Sequence, residues 1–115
     1  MSANCLFCKI VNQEIPVKLA YEDGRALAFA DINPQAPVHL LVIPRSHITG
    51  ADALEAQDEE LVGHLFLVMN KLAKEHGIAD SGYRIVTNTG DAAGQSVPHL
   101  HFHLLGGRDL TWPPG

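Results

Sequence analysis

The stretch from His99 to Leu105 alternates imidazole and apolar side chains, and it restricts the fold of this chain more than any other segment. Successive side chains of a strand point to opposite faces. A strand over Leu100–Leu105 would therefore place three imidazoles in a row on one face, with neighbours roughly 7 Å apart: His99, His101 and His103. The apolar side chains of the same stretch would share the other face and bury against a core: Leu100, Phe102 and Leu104.

The other predicted elements complete an α+β domain. A helix is predicted over Asp58–His76, because apolar residues recur there at helical spacing and Gly77 follows its end. Asp23-Gly24 predicts a two-residue hairpin turn. We also predict a helical turn over Leu6–Val11 and four further strands: Leu19–Glu22, Ala26–Ala30, Val38–Ile43 and Tyr83–Thr87. Gly50–Gln57 is predicted to be irregular or weakly helical, and Gly90–Ser96 to be a loop. This order predicts a mainly antiparallel five-stranded sheet with the long helix on one face.

Composition excludes several classes of protein. The 115 residues, 46% of them hydrophobic, suit a single domain over residues 1–115. The 8 Lys and Arg against 13 Asp and Glu give a net charge of −5, which argues against nucleic-acid binding and against a basic membrane-binding patch. We find no apolar run long enough to span a bilayer, no pattern of a secretory signal, and only 2 cysteines. We therefore expect a cytoplasmic protein.

Three histidines at alternate positions, with His39 on another predicted strand, indicate a functional site. Buried imidazoles need hydrogen-bond partners and repel one another when protonated, so a purely structural strand favours Thr or Val. The residues alone leave two chemistries open, which are zinc ligation and nucleophilic or acid–base catalysis. The preceding loop, Thr89–Ser96, offers backbone N–H groups and a hydroxyl that suit a phosphate. Imidazoles beside such a loop favour phosphoryl or nucleotidyl transfer.

Several motifs together resemble the Hint branch of the histidine-triad (HIT) superfamily. Its signature, His-φ-His-φ-His-φ-φ with φ an apolar residue, is met from His99 to Leu105. Further matching segments extend the resemblance over nearly the whole chain from about Phe7: Asp31–Pro37, His39, Leu41–Pro44, Gly94–Ser96, Leu105–Arg108 and Trp112–Gly115. The resemblance implies a HIT-like fold with a short N-terminal helix. Asn33 and Pro98 depart from the usual serine and aromatic residue, and neither departure touches the triad.

The resemblance also implies an activity. Such enzymes hydrolyse purine nucleoside 5′-phosphoramidates, including adenosine 5′-monophosphoramidate and aminoacyl-adenylates, to the nucleoside monophosphate and an amine. The middle triad histidine, here His101, would be the nucleophile and would form a covalent nucleotidyl-histidine intermediate. The resemblance further implies a homodimer through the long helix and a pair of strands, in which the Trp112 tail packs near the partner's active site.

Roles for individual residues follow from the same resemblance. His103 would bind phosphate oxygens, and His39 would support the triad by hydrogen bonding. Asp31 would accept the ribose hydroxyls, and Asn88 would contact the ribose-phosphate end. The phosphate or the leaving group would be held by a hydroxyl and two amides: Ser96, Gly94 and Gln95. The purine would enter an apolar slot: Phe29, Ile32 and Phe7 or Ile10.

Cys5 and Cys8 form a CxxC pair that has two interpretations. Several members of the wider superfamily combine such a pair with two histidines in a zinc site, at positions that are His47 and His99 here. The resemblance thus implies a structural zinc that catalysis does not require. Alternatively, Cys5 belongs to a disordered end and Cys8 is a small buried hydrophobe. The two histidines of the long helix, His64 and His76, are not expected to be catalytic.

Three other functions remain open. One is hydrolysis of dinucleoside polyphosphates, another reaction of the same superfamily. The second is a nucleotide-binding interaction module whose enzymatic activity is vestigial. The third is a zinc-dependent hydrolase that uses the triad itself as metal ligands, which would require an open coordination position.

Overall fold

Helices and strands lie close to their predicted positions in the computed structural model, which describes residues 4–115. The two helices are α1 (Leu6–Val11) and α2 (Glu59–Glu75). The five strands are β1 (Leu19–Glu22), β2 (Ala26–Ala30), β3 (Val38–Pro44), β4 (Tyr83–Val86) and β5 (Phe102–Gly106). They form one antiparallel sheet in the order β1-β2-β3-β5-β4, which confirms the predicted fold class.

The segments predicted as irregular contain short 3₁₀ turns at Ala51–Ala53, Ala56–Asp58 and Asp91–Ala93. Asp58 and His76, predicted inside the long helix, flank it instead. The Asp58 carboxylate accepts the Glu55 N–H at 2.9 Å, and the His76 N–H donates to the Leu72 carbonyl at 2.9 Å. The helix is therefore one residue shorter at each end than its apolar pattern predicted. No helix among residues 4–115 is long and apolar enough to cross a membrane.

Strand β5 begins at Phe102, two residues later than predicted. The preceding amides bond outside the sheet, since His99 donates to the Val97 carbonyl and Leu100 to the Ile48 carbonyl. The alternation of faces nevertheless persists through this irregular segment. Leu100, Phe102 and Leu104 are all at most 5% exposed and belong to one core cluster.

The sheet has two different faces. The register of β3 and β5 places Leu40 opposite Leu104 on one face of the sheet and Leu41 opposite His103 on the other. The helix face is covered by α2, whose buried residues pack on it: Leu65, Val68, Met69, Leu72 and Ala73. The opposite face, which we call the histidine face, carries His39, His103 and a second apolar cluster. That cluster joins α1 to β2 and β3: Phe7, Cys8 and Ile10 with Leu27, Phe29, Leu41 and Ile43.

Asp23 ties the β1–β2 turn to α2. The two strands have their predicted bounds and leave a three-residue loop, Asp23 to Arg25, although the Asp23-Gly24 pair predicted a two-residue turn. The Asp23 carboxylate accepts the Tyr21 hydroxyl at 2.7 Å and the amides of Arg25 and Ala26 at 2.7 and 2.8 Å, and it lies 2.6 Å from His64 Nε2. Burial alone would raise the pKa of this carboxyl, but the four hydrogen bonds outweigh burial and hold the pKa well below its usual range. His64 therefore has a structural partner far from the triad.

Candidate active site

His101 is held so that one ring nitrogen is free for chemistry. Its Nδ1 lies 2.7 Å from the carbonyl oxygen of His99, which can only accept a hydrogen bond. The neutral ring therefore carries its proton on Nδ1 and keeps a lone pair on Nε2. The Thr87 hydroxyl donates to the His101 carbonyl at 2.7 Å, and the Phe7 ring packs edge to face on the imidazole at 5.1 Å. The first contact holds the backbone of His101, and the second holds its ring.

His39 and His103 form a hydrogen-bonded pair across β3 and β5. The Gln35 N–H donates to His39 Nδ1 at 3.0 Å, so a neutral His39 carries its proton on Nε2. That proton is directed at His103 Nδ1, which lies 2.9 Å away. Burial lowers the pKa of both imidazoles, against the opposing effect of the Asp31 carboxylate; for His103, the neighbouring His101 and His39 lower it further. Both rings are therefore neutral near pH 7.

Asp31 lies beside this pair. Its Oδ2 is 3.5 Å from His39 Nε2 and 3.9 Å from His103 Nδ1, and its Oδ1 accepts the Asn33 N–H at 2.8 Å. The three side chains are close enough to be considered as a metal site. The Gln35 N–H argues against that use, because it occupies the lone pair of His39 Nδ1 and so leaves the ring proton on the nitrogen that would face the ion.

A cleft of about 370 Å³ opens beside His101 and His103. Its wall is mainly apolar and contains all the residues predicted for the base slot: Phe7, Ile10, Phe29 and Ile32. Ile32 is fully exposed at the cleft, although it is a large aliphatic residue. Asp31 and Ser96 also line the cleft, so apolar surface, a carboxylate, a hydroxyl and two imidazoles face one space. Such a mixture suits a ligand with an aromatic and a polar end.

The loop before the triad is stiffened by its own hydrogen bonds. The Gln95 side chain donates to the carbonyls of Thr49 and Val97 at 2.7 and 3.1 Å and accepts the Gly90 N–H at 2.9 Å. The two amides predicted to bind phosphate donate within the loop instead, from Gly94 to the Asp91 carbonyl and from Gln95 to the Gly90 carbonyl. The lining of the cleft includes Ser96 but none of these predicted ligands: Asn88, Gly94 and Gln95.

Cys5, Cys8, His47 and His99 form a second cluster, whose four ligand atoms all lie within 4.8 Å of one another. The Nδ1 of His99 is 3.4 Å from Cys5 Sγ and 3.6 Å from Cys8 Sγ, and Cys8 Sγ is 3.2 Å from His47 Nδ1. Zn–S and Zn–N bonds of about 2.3 and 2.0 Å in a tetrahedron place sulfur and nitrogen about 3.5 Å apart. The cluster could therefore hold a metal ion with little adjustment.

The surroundings of this cluster also fit a metal. His99 Nε2 donates to the Pro44 carbonyl at 2.9 Å, which directs the unprotonated Nδ1 at the thiols. Both cysteines are buried, so Cys5 is not part of a disordered end. Burial, followed by the neighbouring Cys5, raises the pKa of the Cys8 thiol to about 11. A divalent cation would offset that effect by balancing the charge of the thiolates.

The triad histidines thus have three different surroundings. His99 faces the cysteines, His101 faces the cleft, and His103 pairs with His39. Among residues 4–115, neither group of potential metal ligands contains two members of the triad. This corrects the idea of a zinc-dependent hydrolase with the triad as its ligands, because the three side chains do not converge on one point.

Comparison with known proteins identifies the family. A family model of the HIT domain matches residues 12–110. The chain belongs to the HIT family. It is 51% identical to an uncharacterized HIT-like protein of Synechococcus elongatus over 115 residues, the full length of both chains. The crystal structure of a HIT family hydrolase from Legionella pneumophila has a TM-score of 0.96 and 50% identity, covering 97% of this chain and 100% of that one.

A HIT family hydrolase from Clostridium thermocellum is similar at a TM-score of 0.93 and 47% identity, with 96% of each chain covered. These matches confirm the predicted fold and superfamily. Assignment to the Hint branch stays a prediction. The site also contains partners that sequence reasoning missed: the Gln35 amide, the Thr87 hydroxyl and the Pro44 carbonyl. Two of them are backbone groups, which every residue but proline offers, so no residue type marks them in a sequence.

Proposed function

We propose that this HIT protein is a Hint-type nucleoside phosphoramidase, which cleaves the P–N bond of purine nucleoside 5′-phosphoramidates to give the nucleoside monophosphate and an amine. The observation that carries the proposal is the 2.7 Å hydrogen bond from His101 Nδ1 to the His99 carbonyl, beside a mainly apolar cleft. It leaves Nε2 with a lone pair without requiring an added base. The similarity to two HIT family hydrolases supports a hydrolytic reaction.

The reaction proceeds in two displacements. His101 Nε2 attacks the α-phosphorus, the P–N bond breaks, and the amine leaves with a proton taken from solvent, which the attacking water returns in the second step. Water then attacks the nucleotidyl-His101 phosphorus, which frees the imidazole and releases the nucleoside monophosphate. His103 Nε2–H donates to a phosphate oxygen, where charge develops, and the Ser96 hydroxyl supplies a second donor. No metal or cofactor is required for either step.

The nucleoside occupies the mainly apolar cleft in this proposal. The purine lies between Phe29 and Ile32, with Phe7 and Ile10 behind it, and its burial explains why Ile32 is exposed in the free protein. Asp31 accepts the ribose hydroxyls. Three further expected ligands lie outside the cleft lining: Asn88, Gly94 and Gln95. The amides of Gly94 and Gln95 already donate to carbonyls of their own loop, so they would bind the phosphate only if those hydrogen bonds broke.

The functional unit is proposed to be a cytoplasmic homodimer. Strand β4 lies at an edge of the sheet, where a second copy could pair. Helix α2 exposes Phe66 and Leu67, and Trp112 in the C-terminal tail is 82% exposed. Sedimentation equilibrium should give twice the mass of the 115-residue chain. A monomer at micromolar concentration would contradict the dimer and the role of the Trp112 tail in the partner's site.

A structural zinc is proposed for the cluster formed by Cys5, Cys8, His47 and His99. The matched distances and the His99–Pro44 hydrogen bond support it. We expect one zinc per chain by mass spectrometry of the metal content, and a lower melting temperature after chelation or in Cys8→Ser. Protein purified with zinc in the medium but without bound metal would contradict the site. Loss of turnover on chelation, without unfolding, would contradict a purely structural role.

A direct test compares adenosine 5′-phosphoramidate with a diadenosine polyphosphate under identical conditions. We expect faster turnover of the phosphoramidate and, after acid-free quenching, an adenylyl group that fragmentation places on His101. Preference for the polyphosphate would favour the alternative hydrolase. Binding of adenosine monophosphate by calorimetry, without turnover of either compound, would favour the interaction module.

A further inference from the structure

We propose that the backbone N–H of Gln35 sets the protonation pattern of the His39–His103 pair, and that Arg108 is a positioning residue because it holds Gln35 in place. The kinetic part of this inference rests on the proposed phosphoramidase activity. The structural part, which nitrogen of each ring carries the proton, concerns the free protein and does not depend on any substrate.

The direction of the hydrogen bonds follows from one fixed donor. A backbone N–H can only donate, so His39 Nδ1, 3.0 Å from the Gln35 nitrogen, must offer its lone pair. Neutral His39 then has its proton on Nε2 and donates it to His103 Nδ1 at 2.9 Å. His103 in turn keeps its proton on Nε2. Two imidazoles are thereby ordered by a single amide that lies outside the cleft lining.

This protonation pattern determines whether His103 presents an N–H or a lone pair to the cleft. Within the His103 ring, Nε2 points away from Nδ1 and hence away from His39. It has no hydrogen-bond partner among the described residues. As an N–H, it donates to a phosphate oxygen. The opposite arrangement would present a lone pair to that oxygen and repel it. Three groups face the pair, namely the Asp31 carboxylate, the His101 ring and the Gln35 amide. The carboxylate only accepts, so it favours a proton between the two rings without deciding which ring carries it; the amide makes that choice by occupying the lone pair of His39 Nδ1.

Arg108 links the loop that contains Gln35 to the segment that follows β5. Its Nε donates to the Gln35 carbonyl at 2.9 Å and its guanidinium donates to the Asp109 carbonyl at 2.8 Å. The neighbouring Gly107 has φ +93°, and a Cβ there would lie 3.0 Å from the Pro37 side chain. The chain after β5 therefore presses against the loop that contains Gln35. These contacts form a strap between the C-terminal segment and the histidine pair.

The first test is nitrogen-15 NMR of the wild-type protein, in which long-range couplings reveal which ring nitrogen carries hydrogen. We expect a proton on Nε2 and none on Nδ1, for both His39 and His103, near pH 7. A proton on Nδ1 of either ring would overturn the proposal. This measurement uses no substrate, so its outcome does not depend on the phosphoramidase activity.

The second test removes the donor alone. Gln35→Pro deletes the N–H at an exposed position without a positive φ, whereas Gln35→Ala deletes the side chain and keeps the N–H. We expect mixed tautomers of His39 and His103 in the proline variant and the wild-type pattern in the alanine variant. The kcat of the proline variant should be about tenfold lower than that of the alanine variant, with similar KM. Identical tautomers in the two variants would overturn the proposal.

Arg108→Met tests the strap while keeping much of the apolar stem. We expect partial mixing of tautomers and a kcat about threefold lower, because solvent weakens this exposed, charge-assisted hydrogen bond. Arg84→Met is the matched control, because Arg84 donates to the carbonyls of Leu110 and Thr111 in the same tail but does not contact Gln35. It should leave both tautomers unchanged. Equal effects of the two variants on the tautomers would assign Arg108 a merely structural role.

Discussion

The helix face and the histidine face belong to the same strands, but the first packs the core under α2 and the second carries the candidate active site. The helix face packs apolar side chains under α2. The histidine face combines an apolar cluster under α1 with four imidazoles: His39, His99, His101 and His103. The contrast teaches that strand alternation can place stability and chemistry on opposite sides of one layer, since the pairing that buries Leu104 on one face sets His103 on the other.

The histidine face needs a polar framework that the helix face does not. Buried imidazoles are costly unless their nitrogens are bonded. The carbonyls of Pro44 and His99 accept from His99 and His101, and the Gln35 amide donates to His39. Among the described residues, no buried side-chain nitrogen or oxygen lacks a partner. The chemistry of this face therefore depends on backbone groups at the end of β3 and in the segments that precede β3 and β5.

The largest effect is expected for His101→Ala. We expect kcat for adenosine 5′-phosphoramidate to fall by about 10⁴-fold, since the proposed nucleophile is absent, while the melting temperature changes little. Assays with and without EDTA should give the same ratio. His76→Ala, at the end of α2, serves as the control and should keep wild-type turnover. Retained turnover in His101→Ala would remove the nucleophile from the proposal.

Leu72→Ala tests the helix face. Leu72 is fully buried, so the truncation should lower the free energy of unfolding by about 3 kcal/mol in urea titrations. Its kcat per folded molecule should stay near wild type at low temperature. Asp80→Ala, at an exposed position after the same helix, should change the free energy of unfolding by less than about 0.5 kcal/mol. A large loss of kcat in folded Leu72→Ala would show that the two faces are coupled.

Asp23→Ala should destabilise the protein by about 2 kcal/mol at pH 7, because four hydrogen bonds to a carboxylate are lost. The pKa of Asp23 is lower in the folded protein than in the unfolded chain, where it is about 3.9. The contribution is therefore complete above the unfolded pKa and is lost as the pH falls through the folded pKa.

Urea titrations of wild type and Asp23→Ala check this pH dependence. The difference in unfolding free energy should be constant between about pH 7 and 5 and should shrink below about pH 4. Glu22→Ala is the control, since Glu22 is exposed and its ion pair with Arg45 should contribute less than about 1 kcal/mol. A difference that persists undiminished at low pH would show that packing, and not the carboxylate, stabilises the turn.

The smallest effect is expected for Ser96→Ala, which removes one hydroxyl from the cleft. Loss of a single neutral hydrogen bond should lower kcat/KM by about fivefold, with stability unchanged because the residue is exposed. Ser81→Ala, at another exposed serine, is the matched control. Unchanged kinetics in Ser96→Ala would remove the hydroxyl from the proposal and leave phosphate binding to the histidines.

Much of the fold was predictable because its signals are local. The apolar spacing of α2 and the β-branched run of β3 depend on residues adjacent in sequence, and both elements formed within one residue of prediction. The start of β5 was predicted wrongly because the amides of His99 and Leu100 bond to other segments. The proposed phosphate-binding amides of Gly94 and Gln95 were likewise found donating within their own loop, which residue types do not reveal.

The sequence by itself determined the two-faced sheet and the HIT family, because alternation, helical spacing and motif residues are properties of neighbouring positions. Only the tertiary structure decided what each triad histidine does. His99 turns to Cys5 and Cys8, His101 to the cleft, and His103 to His39, although the three alternate regularly in the chain. The physical reason is that an imidazole's role depends on which nitrogen is free, and the fold decides which backbone amide or carbonyl reaches each ring.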